Sequence, residues 1–127
     1  MPYKHQALTS DIINAFYQVY NTLGYGFLER VYENALAHEL RKRGYEVVQQ
    51  ASITVFYEDV VVGEYYADLL VNSIIVIELK AVTEIAPEHE AQLINYLKAS
   101  KIDVGLILNF GLKPKIRRKI YETARSS

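Results

Sequence analysis

Residues 67–81 read Ala-Asp-Leu-Leu-Val-Asn-Ser-Ile-Ile-Val-Ile-Glu-Leu-Lys-Ala. Two runs rich in Val, Ile and Leu flank the turn residues Asn72 and Ser73, which predicts two strands of a hairpin, each buried on at least one face. Asp68, Glu78 and Lys80 interrupt that apolar pattern, and an unpaired charge in such a place costs several kcal/mol. Side chains alternate along a strand, so Glu78 and Lys80 share a face while Ile77 and Leu79 point the other way. A hairpin loop with an odd number of residues, centred near Ser73, sets Asp68 directly opposite Glu78. Two carboxylates that close repel each other unless a cation lies between them, and hard oxygen ligands suit magnesium or manganese. The residues alone leave a second reading open, a structural salt bridge between Lys80 and one of the acids. The extra negative charge at hairpin spacing weighs against it, because structural ion pairs seldom gather one.

Size sets the outer limits. A chain of 127 residues suits one domain, taken as 1–127, with room for a single sizeable core. Half of it is hydrophobic and 23% is charged, a globular rather than a disordered balance. No apolar run approaches the roughly 20 residues that cross a bilayer, and Met1 to Ser10 lacks the apolar core of a signal peptide. A cytoplasmic location without membrane contact is the expectation. The absence of cysteine excludes disulfides, thiol catalysis and thiolate-bound zinc.

Charge is unevenly divided along the chain. Residues 1–97 hold 6 Lys and Arg against 13 Asp and Glu, whereas residues 98–127 hold 8 against 2. Lys113, Lys115, Arg117, Arg118 and Lys119 are candidates for binding phosphates, although a solvated basic face is the commoner meaning of such a run.

Periodicity places these features on elements. Leu8, Ile12, Ile13, Phe16, Val19, Tyr20 and Leu23 recur at helical spacing, with Thr9, Ser10 and Asp11 as N-cap candidates, until Gly24 and Gly26 break the pattern. A second helix is predicted from about Phe27 to Arg43, with Gly44 as its C-terminal stop. Tyr45 to Tyr57 and Val60 to Val71 read as strands joined at Glu58 and Asp59, and Ile74 to Ala81 as a third. Pro87 opens a helix reaching about Ser100, followed by an apolar strand from Ile102 to Asn109. Alternation of Ile116, Arg118 and Ile120 favours a last short strand within Lys113 to Tyr121. The predicted class is α/β, a mixed central sheet flanked by helices in the order α-α-β-β-β-α-β with an extra C-terminal strand.

Other residues carry weaker signals. Glu29, early in the second helix, is by itself an acid that complements the helix dipole. Gln92 and Tyr96 lie four apart on one helix face and can reach a common ligand. His5, His38 and His89 are scattered, and His89-Glu90 lacks the second histidine of a zinc-protease motif. The 11 tyrosines fall mostly at core periodicity and are assigned to packing.

The hairpin array Asp68, Glu78 and Lys80, preceded by helices and followed by a helix and an apolar strand, resembles the core of the PD-(D/E)XK nuclease superfamily. Gly26-Phe27-Leu28-Glu29-Arg30-Val31-Tyr32 is similar to the signature of the GxxExxY family, and the likeness continues through Tyr57, Glu78-Leu79-Lys80 and Gly105 to Gly111. Gln92 to Tyr96 resembles the Q-x3-Y motif of RecB-like exonucleases. The resemblance implies a restriction-endonuclease-like fold and a magnesium- or manganese-dependent nuclease, with DNA foremost as substrate. In that reading Asp68, Glu78 and the Leu79 carbonyl hold the metal, and Glu29 is an outer ligand. Lys80 serves the transition state, and Gln92 and Tyr96 hold the strand or Lys80. The chain departs from the pattern at Tyr20, where relatives carry histidine. The competing class is a non-catalytic nucleic-acid-binding or protein-interaction module on the same fold, and a homo-oligomer or protein partner that completes the site stays open.

Overall fold

A computed structural model describes residues 3–122. Helix α1 (Gln6–Leu23) and helix α2 (Glu29–Lys42) precede strands β1 (Val47–Tyr57), β2 (Val60–Val71) and β3 (Ile75–Lys80). Helix α3 (Pro87–Ser100) then leads to β4 (Val104–Phe110) and β5 (Pro114–Ile120). The five strands form one sheet in sequence order. Only β3 and β4 run parallel, because α3 carries the chain back across a face of the sheet between them. The expected mixed α/β fold is therefore present, and the last segment is the fifth strand.

Two cores lie on opposite faces of the sheet. Ile12, Phe16, Tyr32, Leu36 and Leu40 of α1 and α2 pack on Leu69, Val71, Ile75, Ile77, Leu79, Leu106 and Leu108. Leu93, Tyr96 and Leu97 of α3 pack on Ala51, Ile53, Ala67, Val76 and Ile107. All seven residues of β4 are buried, as its unbroken apolar run requires of a strand covered on both faces. At Gly105 an added Cβ would stand 2.7 Å from Leu93 Cδ1, so glycine lets α3 settle directly on the strand.

Both N-terminal helices begin at places other than those the side chains suggest. Helix α1 starts at Gln6, a turn before Ser10 and Asp11, which brings Leu8 onto the core; Thr9 is buried inside the helix rather than capping it. Asp11 instead accepts hydrogen bonds from Arg43 Nη1 (2.6 Å) and Tyr45 Oη (2.5 Å), tying α1 to the end of α2. Helix α2 starts at Glu29 and leaves Phe27 and Leu28 exposed. Tyr32 organises the turn before it: its hydroxyl donates to the Gly24 carbonyl (2.6 Å) and accepts from the Phe27 N–H (3.2 Å), and its ring stacks on Phe110. Gly44 ends the helix region with φ 95°, a conformation that suits glycine.

The hairpin register is set by the odd loop. Leu69 pairs with Ile77, Leu70 with Val76 and Val71 with Ile75, around Asn72 and Ser73 in left-handed backbone. Pairing of β2 with β3 stops at Leu69 and Ile77, and the two strands part at the next position, which belongs to Asp68 and Glu78.

Candidate active site

The parting of β2 and β3 leaves backbone donors without ladder partners, and the two carboxylates take them. Asp68 Oδ2 accepts the Leu79 N–H at 2.8 Å, and Glu78 Oε2 accepts the Asp68 N–H at 3.2 Å. The acids thus sit in the fork of the hairpin, where the sheet itself fixes their separation. The strands also change phase here. Ala67 packs under α3 but Leu69 packs under α1 and α2, although residues two apart normally share a face. Across the ladder, Ala51 and Ile53 face α3 while Val47 faces the other core. Between them Gln50 holds a φ of 51° in the middle of β1, a conformation that costs a non-glycine residue about 1–2 kcal/mol.

The side chain of Gln50 shows what that conformation accomplishes. Its Nε2 donates to Glu33 Oε1 at 2.8 Å and lies 3.2 Å from Asp68 Oδ1, bridging α2 to the hairpin acid. Glu33 is 4% exposed and takes a second hydrogen bond on Oε2 from Gln49 (2.8 Å). Of the two glutamates one turn apart on α2, Glu33 is the one buried against the sheet. Glu29 is exposed at the helix start and makes no hydrogen bond or ion pair among the described residues. Alternation alone does not reveal Gln50, and only its position one turn beyond Glu29 could have drawn attention to Glu33.

Burial raises the Glu78 pKa to about 9, with the negative charge of Asp68 and a hydrogen bond between the two carboxyl groups adding to the effect. The Asp68 backbone bond and the charge of Lys80 act in the opposite sense. Lys80, half-buried, makes no hydrogen bond or ion pair among the described residues. Gln92 Nε2 donates to the Tyr96 hydroxyl at 2.8 Å. Burial first, then the charge of Glu78, raises the Tyr96 pKa, with Asp68 contributing as well, so the tyrosine lies within electrostatic reach of both acids. Glu78, Lys80, Tyr96 and Gln92 thus lie on the α3 side of the sheet, with Asp68 in the fork between that side and Gln50.

This donor set fits a hard divalent cation that keeps most of its waters. Among the described residues no three or more His, Cys, Asp or Glu side chains form a cluster that could enclose a metal. Magnesium commonly binds through one or two carboxylates with water completing its shell, and the proton held by Glu78 marks a charge that a cation would balance.

Elsewhere the expected residues are dispersed. Alternation along β5 sends Lys115, Arg117 and Lys119 to the α3 side, where Lys115 pairs with Glu84 (2.6 Å) and Lys119 and Arg117 with Glu90. Arg118 points the other way, stacks on Tyr3 and donates to the Lys4 carbonyl. The five cations therefore do not form one patch; residues 123–127 of the basic segment lie outside the described residues. The Tyr20 hydroxyl is 2.8 Å from the Gly111 carbonyl oxygen and 2.7 Å from that of Leu112, holding the β4–β5 turn. His89 caps α3 by accepting the Ala86 N–H on Nδ1 (3.0 Å).

Comparison with known proteins places the fold. The crystal structure of SSO0001 superposes with a TM-score of 0.56 at 17% identity, over 73% of this chain and 50% of that one. The crystal structure of an alkaline exonuclease (LHK-Exo) from Laribacter hongkongensis gives 0.56 at 12% identity, over 99% of this chain and 75% of that one. The chain spans half the length of the first protein, and at these identities the likeness shows a shared fold. No curated protein matches the sequence. The family profile of the PD-(D/E)XK nuclease superfamily matches residues 6–120, and the chain belongs to that superfamily.

Proposed function

We propose that the protein is a metal-dependent nuclease that hydrolyses phosphodiester bonds of nucleic acid, with DNA as its substrate. The observation that carries this reading is the forked pair: Asp68 accepts the Leu79 N–H and Glu78 accepts the Asp68 N–H where β2 and β3 part, with Lys80 beside them. A site without chemistry has little reason to keep these groups together. Asp68, Glu78 and the Leu79 carbonyl would hold magnesium or manganese, and Glu33 would steady Asp68 through Gln50. When bound, such an ion polarises a phosphate oxygen and lowers the pKa of the attacking water. Loading the site would release the proton of Glu78 to solvent. Lys80 offsets the charge that develops on the phosphate as the water oxygen bonds to phosphorus and the ester oxygen leaves. Gln92 and Tyr96 position the strand. Glu29, exposed one turn before Glu33 on α2, is assigned an outer, solvent-separated role.

The test is cleavage of single- and double-stranded DNA and RNA in magnesium and manganese, against Lys80→Ala purified in the same way. Metal-dependent cleavage by the parent protein is expected. The lysine variant should lose turnover and keep substrate binding, because the lysine is assigned to the transition state. A parent protein that binds nucleic acid or a protein and cuts none of the four substrates would be a binding module on a nuclease fold.

A further inference from the structure

Strands β1 and β2 are 11 and 12 residues long, yet β2 pairs with β3 only through its last three residues. The outer half of the β1–β2 hairpin is therefore a two-stranded arm, and its surface carries Phe56 and Tyr65, 61% and 48% exposed. Between this arm and α3 runs an open cleft of about 670 Å³ lined by Phe56, Tyr65, Gln92, Asn95, Tyr96 and Lys98 among others. Its volume lies in the range of small-ligand sites. Tyr96 lines this cleft, meets Tyr65 ring to ring at 5.5 Å, and lies within electrostatic reach of Glu78 and Asp68.

We propose that this cleft holds unpaired nucleotides of a single strand, whose bases stack on Phe56 and Tyr65 and whose adjoining phosphate is thereby presented to Asp68 and Glu78. The inference rests on the nuclease reading and adds the substrate form. Two observations favour a single strand over a duplex. Ring faces reward only bases that are free to turn onto them, and a duplex keeps its base faces stacked inside. A duplex would also call for a row of cations along its phosphates. On the α3 side of this protein Glu84 and Glu90 are instead paired with Lys115, Arg117 and Lys119, which leaves little net positive field. Gln92 and Asn95 add amide edges, which suit bases whose own edges are unpaired.

The experiment is fluorescence anisotropy in EDTA with a labelled oligothymidine and a labelled blunt DNA hairpin, for the parent protein and for Tyr65→Ala, Tyr65→Phe and Phe56→Ala. The single strand should bind at least about tenfold tighter than the hairpin. Each alanine variant should lose single-strand affinity by about fivefold or more, the lower end of one stacked base. Tyr65→Phe, which keeps the ring, should retain it. Thermal melts of the variants confirm that exposed-site changes leave the fold intact. Equal or tighter duplex binding, or a silent Tyr65→Ala, overturns the proposal. So does sedimentation showing a dimer that Phe56→Ala dissociates, since a second copy would then cover the cleft. If magnesium-dependent, Lys80-dependent cleavage persists while Tyr65→Ala is silent, this inference alone fails. If the parent protein neither binds nor cuts nucleic acid, the nuclease reading fails with it.

Discussion

Gln50 and Glu78 each hold a state that their surroundings impose, and each offers a sign that can be measured. In an ordinary strand, replacing alanine by glycine costs about 0.5–1 kcal/mol in chain entropy. At position 50 the order should invert, because the φ of 51° suits glycine and penalises alanine. Both variants lose the amide that bridges Glu33 and Asp68, so their difference isolates the backbone. Gln50→Gly should therefore be more stable than Gln50→Ala by about 1 kcal/mol in urea denaturation, with the parent above both; an alanine variant as stable as glycine would mean that no strain is stored there. For Glu78 the folded pKa of about 9 exceeds the unfolded value of 4.5, so between those values the folded chain holds the extra proton. Metal-free stability should fall as pH rises through that window, with the cost absent below it and complete above it. Glu78→Gln should flatten this dependence in melts recorded from pH 5 to 9. Magnesium binding to the parent at pH 7 should release close to one proton, read by calorimetry in buffers of different ionisation enthalpy; an affinity independent of pH would place the ion away from Glu78.

At the scale of elements, the β3–α3 connection is held by a clamp that also fixes the end of the strand bearing Lys80. Buried Asn109, opposite Lys80 in the parallel ladder, accepts the Val82 N–H on Oδ1 (3.0 Å) and donates Nδ2 to the Val82 carbonyl (2.8 Å). An added Cβ at Gly111 would fall 2.2 Å from that same carbonyl oxygen. Gly111→Ala should thus push Val82 away and destabilise the protein by about 1–3 kcal/mol or more, seen as a lower urea midpoint at unchanged slope. The elements themselves were legible because the apolar pattern changes period cleanly: 3.6 up to Arg43, then 2, then 3.6 again after Pro87. The odd loop around Ser73 likewise gave the correct register without reference to any relative. What alternation could not show was its own interruption. A phase change at Gln50 and Asp68 needs one left-handed residue, and glutamine gives no sign of it in the way that glycine would. The choice between Glu29 and Glu33 was hidden for a different reason. One helical turn separates them on the same face, so only the packing of α2 against β1 decides which is buried.

Across the whole molecule, the division into an acidic 1–97 and a basic 98–127 suggests a cationic surface, and among the described residues folding largely dissolves it. Strand β5 lies at the edge of the sheet with its cations split between two faces, and the acids before and within α3 are brought against one set. Surface pairs of this kind contribute little stability, but their opposed charges cancel in the far field that a polyanion meets. The number of phosphates neutralised can be read from salt dependence, since for a single strand the slope of log Kobs against log salt is about −0.7 per contact. If the strand runs along the arm cleft, Lys98 and Lys101 line its course, and Lys80 stands beside the acids to which its phosphate would be presented. Two or three contacts give a slope of about −1.4 to −2.1. Engagement of Lys113, Lys115, Arg117, Arg118 and Lys119 together would give about −3.5 from those residues alone. We expect the shallower value for an oligothymidine titrated with potassium chloride in EDTA, and little change of slope in a Lys115→Ala, Arg117→Ala double variant. A slope steeper than about −3 that flattens in the double variant would place the strand on β5 and restore the basic segment as its track.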